Sequence, residues 1–451
     1  MIVFKRRLIF WLLRAYLKRW GKYIVISFIL GLLGFFILKS SFPYIIAAFT
    51  GLSKETVGVV GAYSLEDLPP SIISEVSRGL TEVDASGNVK PDLASSWEIR
   101  NGGKEYLFHL RKGIQFSDGT PFTSKEITYA FSDVSVERPS DNTIIYKLKD
   151  SYSPFLVTVS RPIFVHGYVG IGDYRIKQVK LNGDFLESLT LASSTKTPAL
   201  RIYQFYPTQD ALKVAFALGE ITRAQNLSDL LFKDNSIKNF PHVIIDKQTN
   251  YSQLVTLFYN TQDKDLSDKR LRDGLSYALP DKFPDGERAY SSIPPTSWAF
   301  NSDIQRLKDT THAKLLLDAS VGSNVKSFGP LIISTMPKYE KTAEIIQKSW
   351  KEIGINSKIQ VVNSLPNVFQ LYLGDFNVPK DPDQYTLWHS YQENNISGYK
   401  SLRIDKLLED GRKTVNKDDR LKIYLDFQKY LQDDQPATFL YFPYSYSVVR
   451  S

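Results

Sequence analysis

Between Lys22 and Lys39 the chain runs for 16 residues, Tyr23 to Leu38, without a charge. Such a segment has to leave water, either into a protein core or into a bilayer. The surrounding charges decide between the two. Residues 1–39 hold eight bases (Lys5, Arg6, Arg7, Arg14, Lys18, Arg19, Lys22 and Lys39) and no acid. The other 48 of the 56 bases are balanced by all 48 acids, so the formal charge of +8 belongs to the first 39 residues. The run is short of the roughly 20 residues a spanning helix needs. Lysines at its ends can snorkel, however, and the apolar run resumes from Phe42 to Phe49. Seven of the eight bases precede it, which sets the N-terminus in the cytoplasm and the rest outside. The sequence thus predicts a basic cytoplasmic leader over 1–22 and a single transmembrane anchor over 23–49. A cleaved signal peptide is the competing reading, with Ala47-Ala48 as small residues near a cleavage point. A basic, aromatic leader of 22 residues is long for a signal, which favours the anchor.

The neutral remainder has no overall field to attract a polyanion, so nucleic acid is excluded as a partner. Its size calls for two or three domains at roughly 100–200 residues each. With 43% hydrophobic and 13% aromatic residues, the chain can build cores of that size. It has no cysteine, which removes disulfides, thiolate metal sites, cysteine nucleophiles and lipid attachment after the apolar run.

Strand and helix patterns alternate from residue 56 onward. TVGVVGAY (56–63) reads as a strand, 72–80 as a short helix, and YLFHL (106–110) and 144–148 as alternating strands. Ser117-Asp118-Gly119-Thr120-Pro121 is a turn, and Ser124 followed by Glu126 to Phe131 reads as a helix start. RIYQFY, DALKVAFALGE and QLVTLFYN then interleave strand, helix and strand. Further on, 268–278 and 337–353 carry apolar residues at helical spacing, the second opened by Pro337 and stopped by Gly354. A strand at 358–362, two amphipathic helices at 405–412 and 418–432, and a strand at 439–446 follow. This alternation over about 400 residues means α/β lobes.

Motifs for catalysis are missing. The five histidines are not paired at metal-site spacing, and no HExxH, GxSxG or phosphate-loop sequence occurs. Gly170-Ile171-Gly172 is a fragment of a dinucleotide fingerprint without the rest. Asp263, Asp265 and Asp268 lack the glycine and glutamate of a calcium loop, and read as a turn before a helix. A hydrolase would need a nucleophile–base pair that these motifs do not supply.

From Gly79 to Phe131 the sequence resembles the hallmark block of family 5 extracellular solute-binding proteins, the peptide-, dipeptide- and nickel-binding components of bacterial ABC importers. The features are Pro91-Asp92-Leu93-Ala94 with Ser96-Trp97, then Arg111-Lys112-Gly113, Phe116 and Asp118-Gly119-Thr120-Pro121. The segments VTLFYNTQDKDLSDKRLRDGLSYAL, AKLLLDA, AEIIQKSWKEIGINSKIQ, DPDQYTLWHS and DDRLKIYLDFQKYLQDDQPATFLY continue the resemblance in order, so that it spans about 55–446. Within the block, Asp118-Gly119 is a turn needing glycine's freedom, and Arg111 is expected to close a local salt bridge. The chain departs from the family in a short stretch between Phe131 and Ile144 and a trimmed region after Leu279, as well as in its anchor.

The resemblance implies a two-lobed fold of the periplasmic-binding-protein type II kind, closing over its ligand by a hinge. Lobe I would be 51–260, with a reduced accessory subdomain and a returning strand at 438–451; lobe II would be 261–437. The chain would cross out near Phe258–Asn260 and return near Phe439–Tyr441. The implied function is capture of short peptides for the permease of an ABC importer, by a monomer with no catalytic residue, metal or cofactor. The family places a ligand carboxylate in a small residue–Asp–aromatic segment, which Gly374-Asp375-Phe376 matches, so Asp375 is the first candidate and Asp383 the second. Trp388, His389 and Tyr399 are expected to line the cleft, Trp388 equally fitting a core. Tyr63 and Ser64 at the end of the first strand, and Trp298, would face it from elsewhere. Another solute, such as an oligosaccharide or a chelated metal, remains open. So does a surface receptor that kept the fold and lost transport.

Overall fold

A computed structural model describes residues 53–193, 195–233, 235–321 and 329–450, and nearer the start residues 10–11, 14, 16, 18–23, 26–28 and 30–32, which are helical. Of the expected anchor at 23–49, residues 24, 25, 29 and 33–49 lie outside the described residues. Among the described residues no helix is long and apolar enough to cross a membrane. The chain divides into two compact units, 1–55 with 193–201, and 56–192 with 202–451. In the first, Arg201 Nε donates to Glu55 Oε2 at 3.0 Å. The second carries every candidate site residue.

From Lys54 the order is β1 (Lys54–Val60), α1 (Pro70–Val76), a hairpin of β2 (Thr81–Val83) and β3 (Val89–Pro91), then β4 (Ala94–Arg100), β5 (Glu105–Leu110), β6 (Val134–Ser140) and β7 (Thr143–Leu148). After the one-turn α2 (Phe155–Thr158) come β8 (Arg175–Asn182), β9 (Phe185–Ala192), β10 (Leu200–Tyr206) and α3 (Gln209–Leu218). Next are β11 (Arg223–Leu227), the two-residue strands β12 (Leu231–Phe232) and β13 (Asn235–Ser236), and β14 (Val243–Thr249). Then follow β15 (Gln253–Tyr259), α4 (Lys269–Tyr277), β16 (Gly286–Arg288), α5 (Thr310–Val321), β17 (Leu331–Thr335) and α6 (Glu340–Glu352). The order closes with β18 (Ser357–Val361), β19 (Leu371–Asn377), α7 (Tyr385–Trp388), α8 (Leu402–Lys413), α9 (Lys417–Asp434) and β20 (Ala437–Arg450).

Strand β20 organises the main sheet. Its first part pairs antiparallel with β15 (Phe258 opposite Ala437, Val255 opposite Tyr441) and with β16. Its last part pairs with β14 (Thr249 opposite Tyr444, Val243 opposite Arg450) and with β11. Beyond β15 the order runs β19, β17, β18; beyond β11 it runs β1, β10, β9, β8. The segments 243–259 and 437–450 therefore lie side by side through both halves. They are tied midway, where Asn250 N donates to Pro443 O at 2.8 Å. β15 lies wholly in the half that contains β19, with Gln253 opposite Asn377 and Tyr259 opposite Leu371. The pairing thus changes partners at Asn250–Ser252 and Phe442–Tyr444, earlier on the way out than the expected Phe258–Asn260.

The local sequence explains the helices that flank this sheet. α6 follows a turn begun by Pro337 and buries Ala343, Ile346 and Trp350 at helical spacing, ending before Gly354 at φ +85°. Trp350 is fully buried and donates Nε1–H to Leu275 O at 2.9 Å, which fixes α6 on α4. Burial of one such side chain is worth about 1.5–3 kcal/mol. Asp268 caps α4 by accepting from Arg270 N, and Asp263 accepts from Asp265 N and Leu266 N, the turn expected from this acidic string.

β4, β5, β7 and β6 form a separate antiparallel sheet over a core of Tyr106, Phe108, Ile144, Tyr146 and Phe155. The helix expected over Ser124 to Phe131 does not form. Its backbone acceptors are taken from outside: Arg138 Nε donates to Ser124 O at 2.8 Å and Nη2 to Ile127 O at 2.9 Å. Ser124 N donates to Asp141 O. With so short a stretch before β6, these bonds replace a helical ladder. The expected salt bridge of Arg111 is also corrected. Arg111 Nε donates to the backbone carbonyl of Asp92, while Arg78 holds the Asp92 carboxylate at 2.8 Å.

Candidate functional site

β19 lies between β15 and β17, and its alternation sorts its side chains. Leu371 and Leu373 enter the core under α6, while Tyr372 and Phe376 enter the core shared with α7, α8 and α9. Gly374 is required there, because a Cβ would stand 2.4 Å from the Tyr372 ring. Asp375 falls on the α6 face, beyond the end of the leucines.

Three groups close around the Asp375 carboxylate. Lys338 Nζ is 2.7 Å from Oδ1, Gln253 Nε2 donates to Oδ2, and the Tyr339 hydroxyl donates from the turn before α6. Burial is the largest single influence and pushes the carboxyl up. The three donors together with the lysine charge outweigh it and hold Asp375 below the ordinary range. Tyr339 is pushed up by its burial and by the Asp375 charge. The Asp375 side chain is 13% exposed and that of Lys338 is 50% exposed. The carboxylate is fixed, whereas its cation can turn to water.

Asp383 has a different setting. Its Oδ2 accepts from Arg412 Nε at 2.8 Å and its Oδ1 from Tyr385 N at 3.1 Å, at the start of α7. Burial raises its pKa, against the attraction of Arg412. Beside it, Asp381 takes both Nη groups of Arg420, at 2.9 and 2.5 Å, and accepts from Asp383 N. The Asp381-Pro382-Asp383 segment thus clasps the end of α8 and the start of α9. Asp381, Arg412 and Arg420 were not singled out from the sequence, nor were Lys338, Tyr339 and Gln253. Only the acidic spacing around Pro382 hinted at any of them.

The other candidates divide. Trp388 is 1% exposed, packed between Phe258 and Phe439, with Nε1–H donated to Gln384 Oε1 at 3.0 Å. Tyr399 is buried and donates its hydroxyl to Asp434. His389 is buried, stacked on Tyr385 at 4.2 Å, with Glu409 3.6 Å from Nε2 and Asp405 4.0 Å from Nδ1. These three belong to the interior beside α7 to α9. Tyr63 covers Gly61, which has φ +136°, and donates to Val60 O at 3.1 Å. Its neighbour Ser64 is partly exposed, and its carbonyl accepts from Asp67 N.

Trp298 stands where two parts of the chain meet. Its backbone N–H donates to Ser86 O at 2.9 Å, in the β2–β3 turn, and its ring is approached by Lys417 and Arg420. Next to it a cavity of about 410 Å³ is lined by residues 83–87 on one side and by Tyr251, Ser297 and Lys380 on the other. Further contacts join the same parts. Lys417 Nζ donates to Asn88 Oδ1 at 2.5 Å, Ser153 N to Arg412 O at 2.7 Å, and Ser151 Oγ to Lys413 O at 2.8 Å.

Comparison with known proteins gives this arrangement a family. The family described as "Bacterial extracellular solute-binding proteins, family 5 Middle" matches residues 88–398. The oligopeptide-binding protein AppA of Bacillus subtilis is 25% identical over 84% of this chain and 83% of that protein. Among solved structures, the ABC transporter substrate binding protein CtaP from Listeria monocytogenes aligns with a TM-score of 0.76 at 20% identity, covering 88% of this chain and 94% of that one. AppA from Bacillus subtilis in complex with a nonapeptide aligns at 0.68 and 21%, covering 89% and 95%. Those likenesses fit the two-lobed α/β fold expected from the sequence, and the matched span is well over half of the chain. It is a binding protein rather than an enzyme, and it belongs to the family 5 bacterial extracellular solute-binding proteins.

Proposed function

We propose that this chain captures short peptides between two lobes and hands them to the permease of an ABC importer, with Asp375 receiving the peptide's α-ammonium. The observation that carries the reading is the fixed, ionised Asp375 carboxylate, whose cation among the described residues, Lys338, is half exposed and displaceable. The name of AppA, an oligopeptide-binding protein, supports the ligand class. We take the lobes to divide at Asn250–Ser252 and Phe442–Tyr444, where β20 changes partners. The contacts of Trp298, Lys417, Ser151 and Ser153 would then be closing contacts between them.

Free-amino peptides should raise the melting temperature of the protein by mass action, and N-acetylated peptides should not. Equal effects of the two would remove the ammonium assignment. One observation favours a second reading: Lys338 already satisfies Asp375, so a neutral solute such as an oligosaccharide would find the carboxylate occupied. Stabilisation by sugars and not by peptides would select it.

We further propose that residues 23–49 anchor the protein as a single span, with the leader 1–22 in the cytoplasm and the binding part outside. The eight bases before residue 40, with no acid, support this. N-terminal sequencing of membrane-extracted protein should give a start at or near Met1; a start near Phe49 would mean a cleaved signal.

A further inference from the structure

A second charged site lies apart from Asp375 and does not depend on the peptide reading. Arg288 ends β16, opposite Tyr441 of β20. Its Nη1 donates to the carbonyls of Ala289, Phe439 and Leu440, the last at 2.8 Å. The opposite edge of the guanidinium, Nε with Nη2, meets no protein acceptor among the described residues, and Nε is buried. That edge is the fork with which arginine grips an anion. Among the described residues no carboxylate pairs with Arg288, and Asp281 attracts it only at longer range.

The surroundings deepen the imbalance. Arg288 shares a small cavity with Ser276, Tyr290, Arg306, Gln435 and Thr438, and no acidic side chain lines it. Arg306 is already matched by Asp273, at 2.7 Å. The Arg288 guanidinium lies over the rings of Tyr290, at 4.4 Å, and Phe283, at 5.7 Å, neither of which carries a full negative charge at neutral pH. Burial lowers the Arg288 pKa to about 10, and Arg306 pushes the same way. Arg288 as a whole is partly buried, but its Nε is sealed from solvent; a cation held there without an anion is costly, and a water would satisfy Nε while leaving the charge. Ser276 Oγ accepts from Gln435 Nε2 at 3.1 Å, so its own hydrogen is available to a further acceptor. About 10 Å³ is open to the centre of a water-sized particle, room for one such particle.

We propose that the Nε–Nη2 edge of Arg288, with Ser276, binds one halide-sized monovalent anion, chloride being the probe of choice. The ion neutralises Arg288 and ties β16, β20 and α4 together.

The test melts the purified full chain in sodium chloride, bromide and gluconate at equal ionic strength. Chloride and bromide should raise Tm over gluconate by about 1–2 °C, saturably. Arg288→Met should lose that difference. It also gives up three carbonyl bonds, so Ser276→Ala, which keeps the guanidinium, is measured beside it and should shrink the difference. In bromide-soaked crystals an anomalous peak should lie within hydrogen-bond reach of Arg288 Nε. Equal melting in all three salts, or no peak there, would mean that water fills the cavity and would overturn the proposal.

Discussion

Lys338 Nζ stands 2.7 Å from Asp375 Oδ1, reaching from the turn before α6 to the far end of β19. The pair is asymmetric, since the lysine side chain keeps half its exposure while the carboxylate keeps little. An exposed ammonium gains only about 0–1 kcal/mol from such a contact. A ligand ammonium enclosed by protein can outbid it.

Asp375→Asn should therefore weaken free-amino peptides by about 1.5–3 kcal/mol in calorimetric titration, the range for a hydrogen bond to a charged group. Lys338→Met should strengthen them by up to about tenfold, or 1.4 kcal/mol, because the internal competitor is gone. Acetylated peptides should respond little to either change. If Lys338→Met weakens free-amino peptides, the lysine is part of the ligand site rather than its occupant.

The acid limb of binding should belong to the same carboxyl. Its folded pKa lies below the 3.8 of the free group, so folding favours the ionised form. That contribution is complete above 3.8 and is lost only as pH falls through the lower folded value. Peptide affinity should stay level from neutral pH down to 3.8 and drop below it, whereas Asp375→Asn should show no such drop. Loss of affinity well above 3.8 in the wild type would point to another titrating group.

Trp388 tests the boundary between core and cleft. Being sealed between Phe258 and Phe439, it should cost about 3–5 kcal/mol of folding stability when replaced by alanine, in urea unfolding. Peptide affinity of the fraction that remains folded should change little. A large affinity loss with unchanged stability would place the indole against ligand after all.

The Asp381–Arg420 pair should behave as a structural clasp. Asp381→Asn leaves a buried guanidinium short of its partner and should cost about 3–5 kcal/mol, by the same unfolding measurement. The double change Asp381→Leu with Arg420→Met should recover part of that loss, because no charge is then stranded. A double variant as damaged as the single one would show that packing, not charge, is at stake.

Much of the fold was readable because it follows local rules. Pro337, Gly354 and the apolar spacing between them mark α6, and alternation marks β5 and β7. The helix expected at Ser124 was lost to bonds from Arg138, which no local window contains. The change of partner along β20 was likewise hidden, since Phe439 and Val448 look equally suited to any sheet. In the candidate site the reading reached Asp375 and Asp383 by resemblance and ranked Asp375 first, but the partners that set the two apart were not legible in it. Their difference lies in what faces them: a half-exposed lysine 37 positions away for one, and a better-buried arginine for the other. Aromatic residues stayed ambiguous for a related reason, because a tryptophan suits a ligand wall and a sealed core equally well.

Strand β20 has a consequence for how the molecule is made. β11 and β14 are complete by Thr249, but the partner that completes them, residues 444–450, follows every other strand and helix of the described residues. While the polypeptide is still being threaded outward, the first half of the sheet is left with an open seam. Closing it requires contacts of very long sequence separation, which are slow to form. The early half must therefore wait, unlatched, for the last strand to arrive, and a protease or chaperone meeting the nascent protein would find its opening there.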